Sequence, residues 1–110
     1  MPYVSITGLQ LKSVLNAPAF WWHAVRSMGQ ARAAPGIISA EARTINGIHH
    51  TLTVWDSEAA MRAYLISGPH LVAMRAFHGM ATGKTLGFES DAPPSWDKVH
   101  ALWQDRGRTV

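Results

Sequence analysis

Apolar and polar positions along this chain switch between two periods, and the switches mark out its elements. Tyr3 to Lys12 alternates with a period of two, Val4 and Ile6 sharing one face, which predicts a strand. After Gly8 the apolar phase moves to Leu9 and Leu11, so a bulge is expected at that glycine. Phe20, Trp21, Ala24, Val25, Met28 and Ala31 then recur at helical spacing as one expected buried stripe. Asn16-Ala17-Pro18 precedes them as a helix start and Pro35-Gly36 follows as a stop. Two strand-like runs, Ile37 to Ile45 and Ile48 to Trp55, meet at Asn46-Gly47. A two-residue Asn-Gly loop supplies the positive φ angles of a type I′ turn, so the register can be written down: Ile45 faces Ile48, Thr44 faces His49, Arg43 faces His50 and Glu41 faces Leu52.

Asp56 or Ser57 can cap a second helix that carries Met61, Tyr64 and Leu65. Ser67-Gly68-Pro69 interrupts it, and Leu71, Met74, Phe77 and His78 resume the helical spacing until Gly79 and Gly83 loosen the chain. Lys84 to Ser90 reads as a last strand. Pro93-Pro94-Ser95 then opens a helix with Trp96, Val99, Leu102 and Trp103 on one stripe, ending at Gly107.

The order is β-α-β-β-α-β with a C-terminal helix, an α+β, ferredoxin-like arrangement on an antiparallel sheet. One domain spans residues 1–110, with its core at about 3–90 and a helical extension at about 95–107. Both main helices of such a motif lie on one sheet face and leave the other open. With 47% hydrophobic residues, this chain is expected to cover that open face with a second subunit as a homodimer. The Ala40, Ala42, Thr44, His49, Thr51, Thr53 and Trp55 face is assigned to the helices because its small residues allow close approach. The Glu41, Arg43 and His50 face is assigned to the open side.

Composition removes several functions. With no cysteine there is no thiol nucleophile, disulfide or zinc-thiolate site. The net charge of +3 invites a nucleic-acid reading, but the ten basic residues are spread along the chain rather than clustered, so no nucleic-acid partner is expected. Met1-Pro2-Tyr3-Val4-Ser5 lacks a basic leader and no apolar run approaches the roughly 20 residues of a membrane span, so a cytoplasmic location is expected. Phosphate-binding glycine loops, zinc spacings and a serine-histidine-acid order are also absent.

The junction Val54-Trp55-Asp56-Ser57-Glu58, followed by Met61, Tyr64, Leu65 and Ser67, resembles that of the dimeric α+β barrel superfamily, which includes the antibiotic-biosynthesis-monooxygenase-like proteins. Pro94-Ser95-Trp96 and Gly107-Arg108 are further similar to the spheroidene-monooxygenase-like branch. The resemblance implies a homodimer with a cavity in each subunit. It also implies either a monooxygenase that needs no cofactor and acts on a hydrophobic or aromatic substrate, or a haem protein. Counting from the shared junction places the iron-binding histidine of the haem-degrading members at Met74, with His70 and His78 one turn to either side as alternative ligands. A dimerisation or partner-binding module without catalysis is the third reading.

Six histidines are the side chains best suited to proton transfer near neutrality. Adjacent His49 and His50 point to opposite sheet faces and cannot serve one site. His50, paired across the hairpin with Arg43, is the expected base, the guanidinium holding a substrate anion. His70, after the Gly68-Pro69 break, is the alternative base. Trp22, His23, Trp55, Met74 and Phe77 are the expected ligand-binding residues, and no metal site is expected apart from the haem alternative.

Overall fold

A computed structural model describes residues 2–109, apart from the side chain of His78. Strands β1 (Tyr3–Leu11), β2 (Ile37–Ile45), β3 (Ile48–Trp55), β4 (Ala81–Glu89) and β5 (Arg108–Thr109) form one antiparallel sheet in the order β2-β3-β1-β4-β5. Helices α1 (Ala17–Ala33), α2 (Glu58–Leu65), α3 (Gly68–Met80) and α4 (Trp96–Arg106) complete the chain, and a single 3-10 turn (Val14–Asn16) precedes α1. The first four strands and the helices between them are the expected ferredoxin-like motif. The short β5 was not foreseen.

The central hairpin pairs as its turn chemistry dictates. Ile45 faces Ile48, Thr44 faces His49, Arg43 faces His50 and Glu41 faces Leu52. Asn46 and Gly47 take φ of 52° and 79°, the two left-handed residues that a type I′ turn needs. The bulge sits elsewhere than expected: pairing runs unbroken through Gly8, and the register slips between Ile37 and Ser39 instead. The apolar phase change after Gly8 marks a strand buried on both faces in turn. Val4 and Ile6 point to one layer, and Leu9 lies on the other face.

That second layer corrects the expectation of an open face. Helix α4 folds back over the sheet, and its Val99 and Trp103 join Val4, Ile6, Leu52 and Val54 in a buried cluster edged by Trp96 and Leu102. Trp103 can lie flat on the strand because Gly8 has no side chain, and its indole N–H donates to the Lys84 carbonyl at 2.9 Å. Intervening Pro93 and Pro94 cannot continue a strand pairing, which frees the chain to turn back. The reason given for a homodimer, an uncovered apolar sheet face, therefore does not hold in this chain.

On the opposite face, Ala31, Trp55, Met61 and Tyr64 form a second buried cluster beneath α1 and α2. Ser57 caps α2 by accepting from the Ala60 N–H at 3.2 Å. The expected stripe on α1 is only partly inward. Phe20, Met28 and Ala31 are buried, whereas Trp21 and Val25 are exposed. Among the described residues, no helix is long and apolar enough to cross a membrane.

Candidate functional site

The strands do not pack tightly against α1 and α3. Between them lies a cavity of about 610 Å³, a size that suits a drug-sized molecule. Its floor is the face assigned from the Ala/Thr pattern to the helices. Ser5 and Thr7 of β1, Thr51 and Thr53 of β3 and Thr85 of β4 line it, so hydroxyls carpet the sheet side. Some of these are already engaged: Thr7 and Thr51 bond to each other across the strands, and Thr53 Oγ1 accepts from the Trp55 indole at 2.9 Å. The helical side is largely apolar, with Phe20, Met28, Met61, Met74 and Phe77, and Arg32 and Arg62 also border it.

Three histidines border this cavity; the side chains of His49, from the sheet, and His70, from the first turn of α3, face it, whereas His50 borders it with its ring turned to α4. Pro69 in the first turn and the left-handed Gly68 (φ 52°) start α3 abruptly after α2, which is how His70 comes to sit against the Tyr64 ring at 4.5 Å between centroids. The His70 Nδ1 lies 3.1 Å from the Leu65 carbonyl. A carbonyl can only accept, so Nδ1 carries the proton and the lone pair of the neutral ring falls to Nε2. The His70 backbone N–H is fixed as well, donating to Gln30 Oε1 at 2.7 Å. Burial pushes the pKa of His70 below its ordinary value against the opposing pull of the Leu65 carbonyl, so the ring is neutral at pH 7.

Tyr64 supports this ring rather than competing with it. Its hydroxyl donates to the Ser27 carbonyl at 3.0 Å, so the 2.8 Å contact between the two hydroxyls has Ser27 as donor. Burial raises the phenol pKa, and the group stays protonated. His49 is boxed by Phe20 and Trp21 at 5.0 and 4.9 Å, with Nδ1 2.8 Å from Thr44 Oγ1. Burial lowers its pKa also.

The expected pair Arg43 and His50 is adjacent, as the register required, but its side chains face α4 and not the cavity. His50 is 1% exposed, and its Nδ1 donates to the Thr7 carbonyl at 3.1 Å. Its Nε2 is then an acceptor, and His100 of α4 supplies the proton from Nδ1 at 2.9 Å. The Arg43 guanidinium stacks on Trp96 at 5.2 Å, and the Trp96 indole donates to Glu41 at 2.8 Å. These groups fasten α4 to the sheet, and only the strand backbone separates them from the cavity. His50, Arg43 and His70 all border the one cavity, but the side chains of the first two are engaged on the α4 side of the sheet.

Of the expected ligand-binding residues, Met74 and Phe77 line the cavity. Trp22 is exposed under the Arg26 guanidinium at 4.6 Å, and His23 sits beside it with its ring 5.1 Å from the indole. Trp55 is fully buried in the core. His78 lies in α3, with its side chain outside the described residues. Sequence reasoning missed His49, Tyr64 and the hydroxyl floor. The period-two spacing of Ser5 with Thr7 and of Thr51 with Thr53 was the available signal. No group of three metal-ligating side chains occurs among the described residues.

The fold is shared with solved antibiotic-biosynthesis-monooxygenase-like α+β proteins. The cofactor-independent oxygenase SnoaB from Streptomyces nogalater superposes with a TM-score of 0.69 at 14% identity, over 83% of this chain and 94% of that one. A candidate antibiotic biosynthesis monooxygenase from Nitrosomonas europaea gives 0.74 at 13% identity, over 86% and 94%. Rv0793 from Mycobacterium tuberculosis gives 0.73 at 13% identity, over 84% and 99%. No family model and no curated protein matches the sequence. At these identities the likeness is one of fold.

Proposed function

We propose that the cavity binds a small, flat, largely apolar molecule and that His70 removes a proton from it, so that the resulting anion reacts directly with O2. The observation that carries this reading is the fixed tautomer of His70: Nδ1 is tied to the Leu65 carbonyl, and the remaining nitrogen of a half-buried, neutral imidazole is a base. A methionine and phenylalanine roof suits an aromatic ring system, and the hydroxyl floor can bond its ring oxygens. The solved oxygenase SnoaB, described as cofactor-independent, supports the choice of chemistry.

For a polycyclic phenol with an acidic ring CH2, the step balances without any other reductant. Nε2 takes one CH2 proton, and the carbanion forms a C–O bond to O2 and is protonated to a hydroperoxide. Loss of the second C–H proton then breaks the O–O bond, leaving a ketone on the ring and one water. The four electrons come from the substrate's two C–H bonds.

Incubation with a hydroxylated anthrone, following O2 uptake and quinone absorbance, tests this. His70→Gln should lower the rate at least about 100-fold, the usual share of a general base, with the fold intact. An unchanged rate would overturn the assignment. The same protein titrated with haem discriminates the haem reading, which requires a shift of the Soret band from that of free haem that His70→Gln or His78→Gln abolishes.

A further inference from the structure

The outer surface of α1 is apolar where a helix facing water is ordinarily polar. Val14 and Leu15 in the turn that opens it, then Trp21, Trp22 and Val25, are between 45 and 87% exposed. Scattered exposed apolar residues are unremarkable, but five within twelve positions of one helix and its leading turn form a patch that calls for a partner.

Charge says which partner. No aspartate or glutamate precedes Glu41, and neither α1 nor α3 contains one. The charged residues of these two helices are Arg26, Arg32 and Arg75. The other seven lysines and arginines are matched in number by the seven carboxylates, so the formal charge of +3 resides on this one helical layer. Tryptophans beside arginines on an otherwise apolar surface, as where Arg26 stacks on Trp22, are the groups that settle at the boundary between lipid headgroups and acyl chains.

We infer that this face docks on an anionic lipid bilayer. Trp21, Trp22 and Val25 would enter the interface, and the arginines would pair with lipid phosphates and carboxylates. Trp21, Val25 and Arg32 are exposed and also line the cavity, so the cavity borders the docking face. An apolar molecule dissolved in the bilayer could then enter without crossing water. This last step rests on the ligand-binding reading given above, whereas membrane docking itself does not.

Flotation of the purified protein with vesicles of equimolar phosphatidylcholine and phosphatidylserine tests the inference, with pure phosphatidylcholine vesicles in parallel. The protein should float with the anionic vesicles, lose binding as salt is raised, and bind the neutral vesicles less. Arg26→Ala should weaken binding about fivefold, and Trp22→Ser should weaken it at any salt concentration. Circular dichroism of both variants checks that they fold, which their exposed positions favour. His70→Gln should float like the parent, so a failed catalytic reading and a failed docking reading give different results. Absence of binding to anionic vesicles overturns the inference. So does parent-like binding by both variants, or a concentration-dependent dimer that Trp22→Ser dissociates, which would assign the patch to a second copy of the chain.

Discussion

Replacing Gly8 by alanine tests whether α4 is held on the sheet as described. The new Cβ would lie 2.4 Å from Trp103 Cε2 and 2.5 Å from Nε1. Non-bonded carbons rest at about 3.5–4.0 Å, so the indole must retreat by about 1 Å. That movement stretches the 2.9 Å bond from the indole N–H to the Lys84 carbonyl beyond useful range. Overpacking costs roughly 1–3 kcal/mol and a stranded buried donor roughly 1–3 kcal/mol more. Alanine returns about 0.5–1 kcal/mol by stiffening the strand. The total cannot exceed expulsion of the ring, for which tryptophan-to-alanine changes set a ceiling of roughly 3–5 kcal/mol. A loss of about 3 kcal/mol is therefore expected, measured by urea unfolding followed by far-UV circular dichroism. The sharper test repeats the change in Trp103→Ala, where the clash is gone and Gly8→Ala should be neutral or slightly stabilising. Equal costs in both backgrounds, or a Gly8→Ala protein within about 0.5 kcal/mol of the parent, would refute this account of how α4 docks.

Three further expectations follow from the same structure. Burial lowers the pKa of His49, His50 and His70 from the ordinary 6.5, so the folded state resists protons that the unfolded chain accepts. Stability should be flat in this respect above about pH 7.5 and fall below about 6.5 until each folded pKa is passed. Thermal melts from pH 8 to pH 5 check this, and His50→Gln should flatten part of the slope. Gly47→Ala should destabilise by about 1–2 kcal/mol although its Cβ meets nothing within 4 Å, because φ is 79°. Gly29→Ala, equally unobstructed but inside α1, should instead stabilise by about 0.5–1 kcal/mol, and paired urea titrations compare the two. Ser57→Ala removes the cap on the Ala60 N–H and should cost about 1 kcal/mol in the same assay.

Local chemistry explains what could be read before the structure. The Asn46-Gly47 turn has only one geometry that matches strand twist, so it carried the whole hairpin register, including the neighbours Arg43 and His50. The helices, the break at Ser67-Gly68-Pro69 and the inward stripe of α4 were likewise legible, because capping, proline and helical spacing act over a few residues. Which layer covers each strand face is a different kind of question. Val4, Ile6, Leu52 and Val54 look the same along the chain whether a second subunit or the chain's own α4 buries them, and only the folded path answers it. That path engaged the His50 and Arg43 side chains with α4 and left the His70 and His49 side chains and the hydroxyl floor to the cavity. The sequence alone therefore determined the elements and their pairing, which depend on neighbours along the backbone. The tertiary structure alone decided which side of the sheet holds a site, because that choice rests on contacts between residues some fifty positions apart, as between His50 and His100.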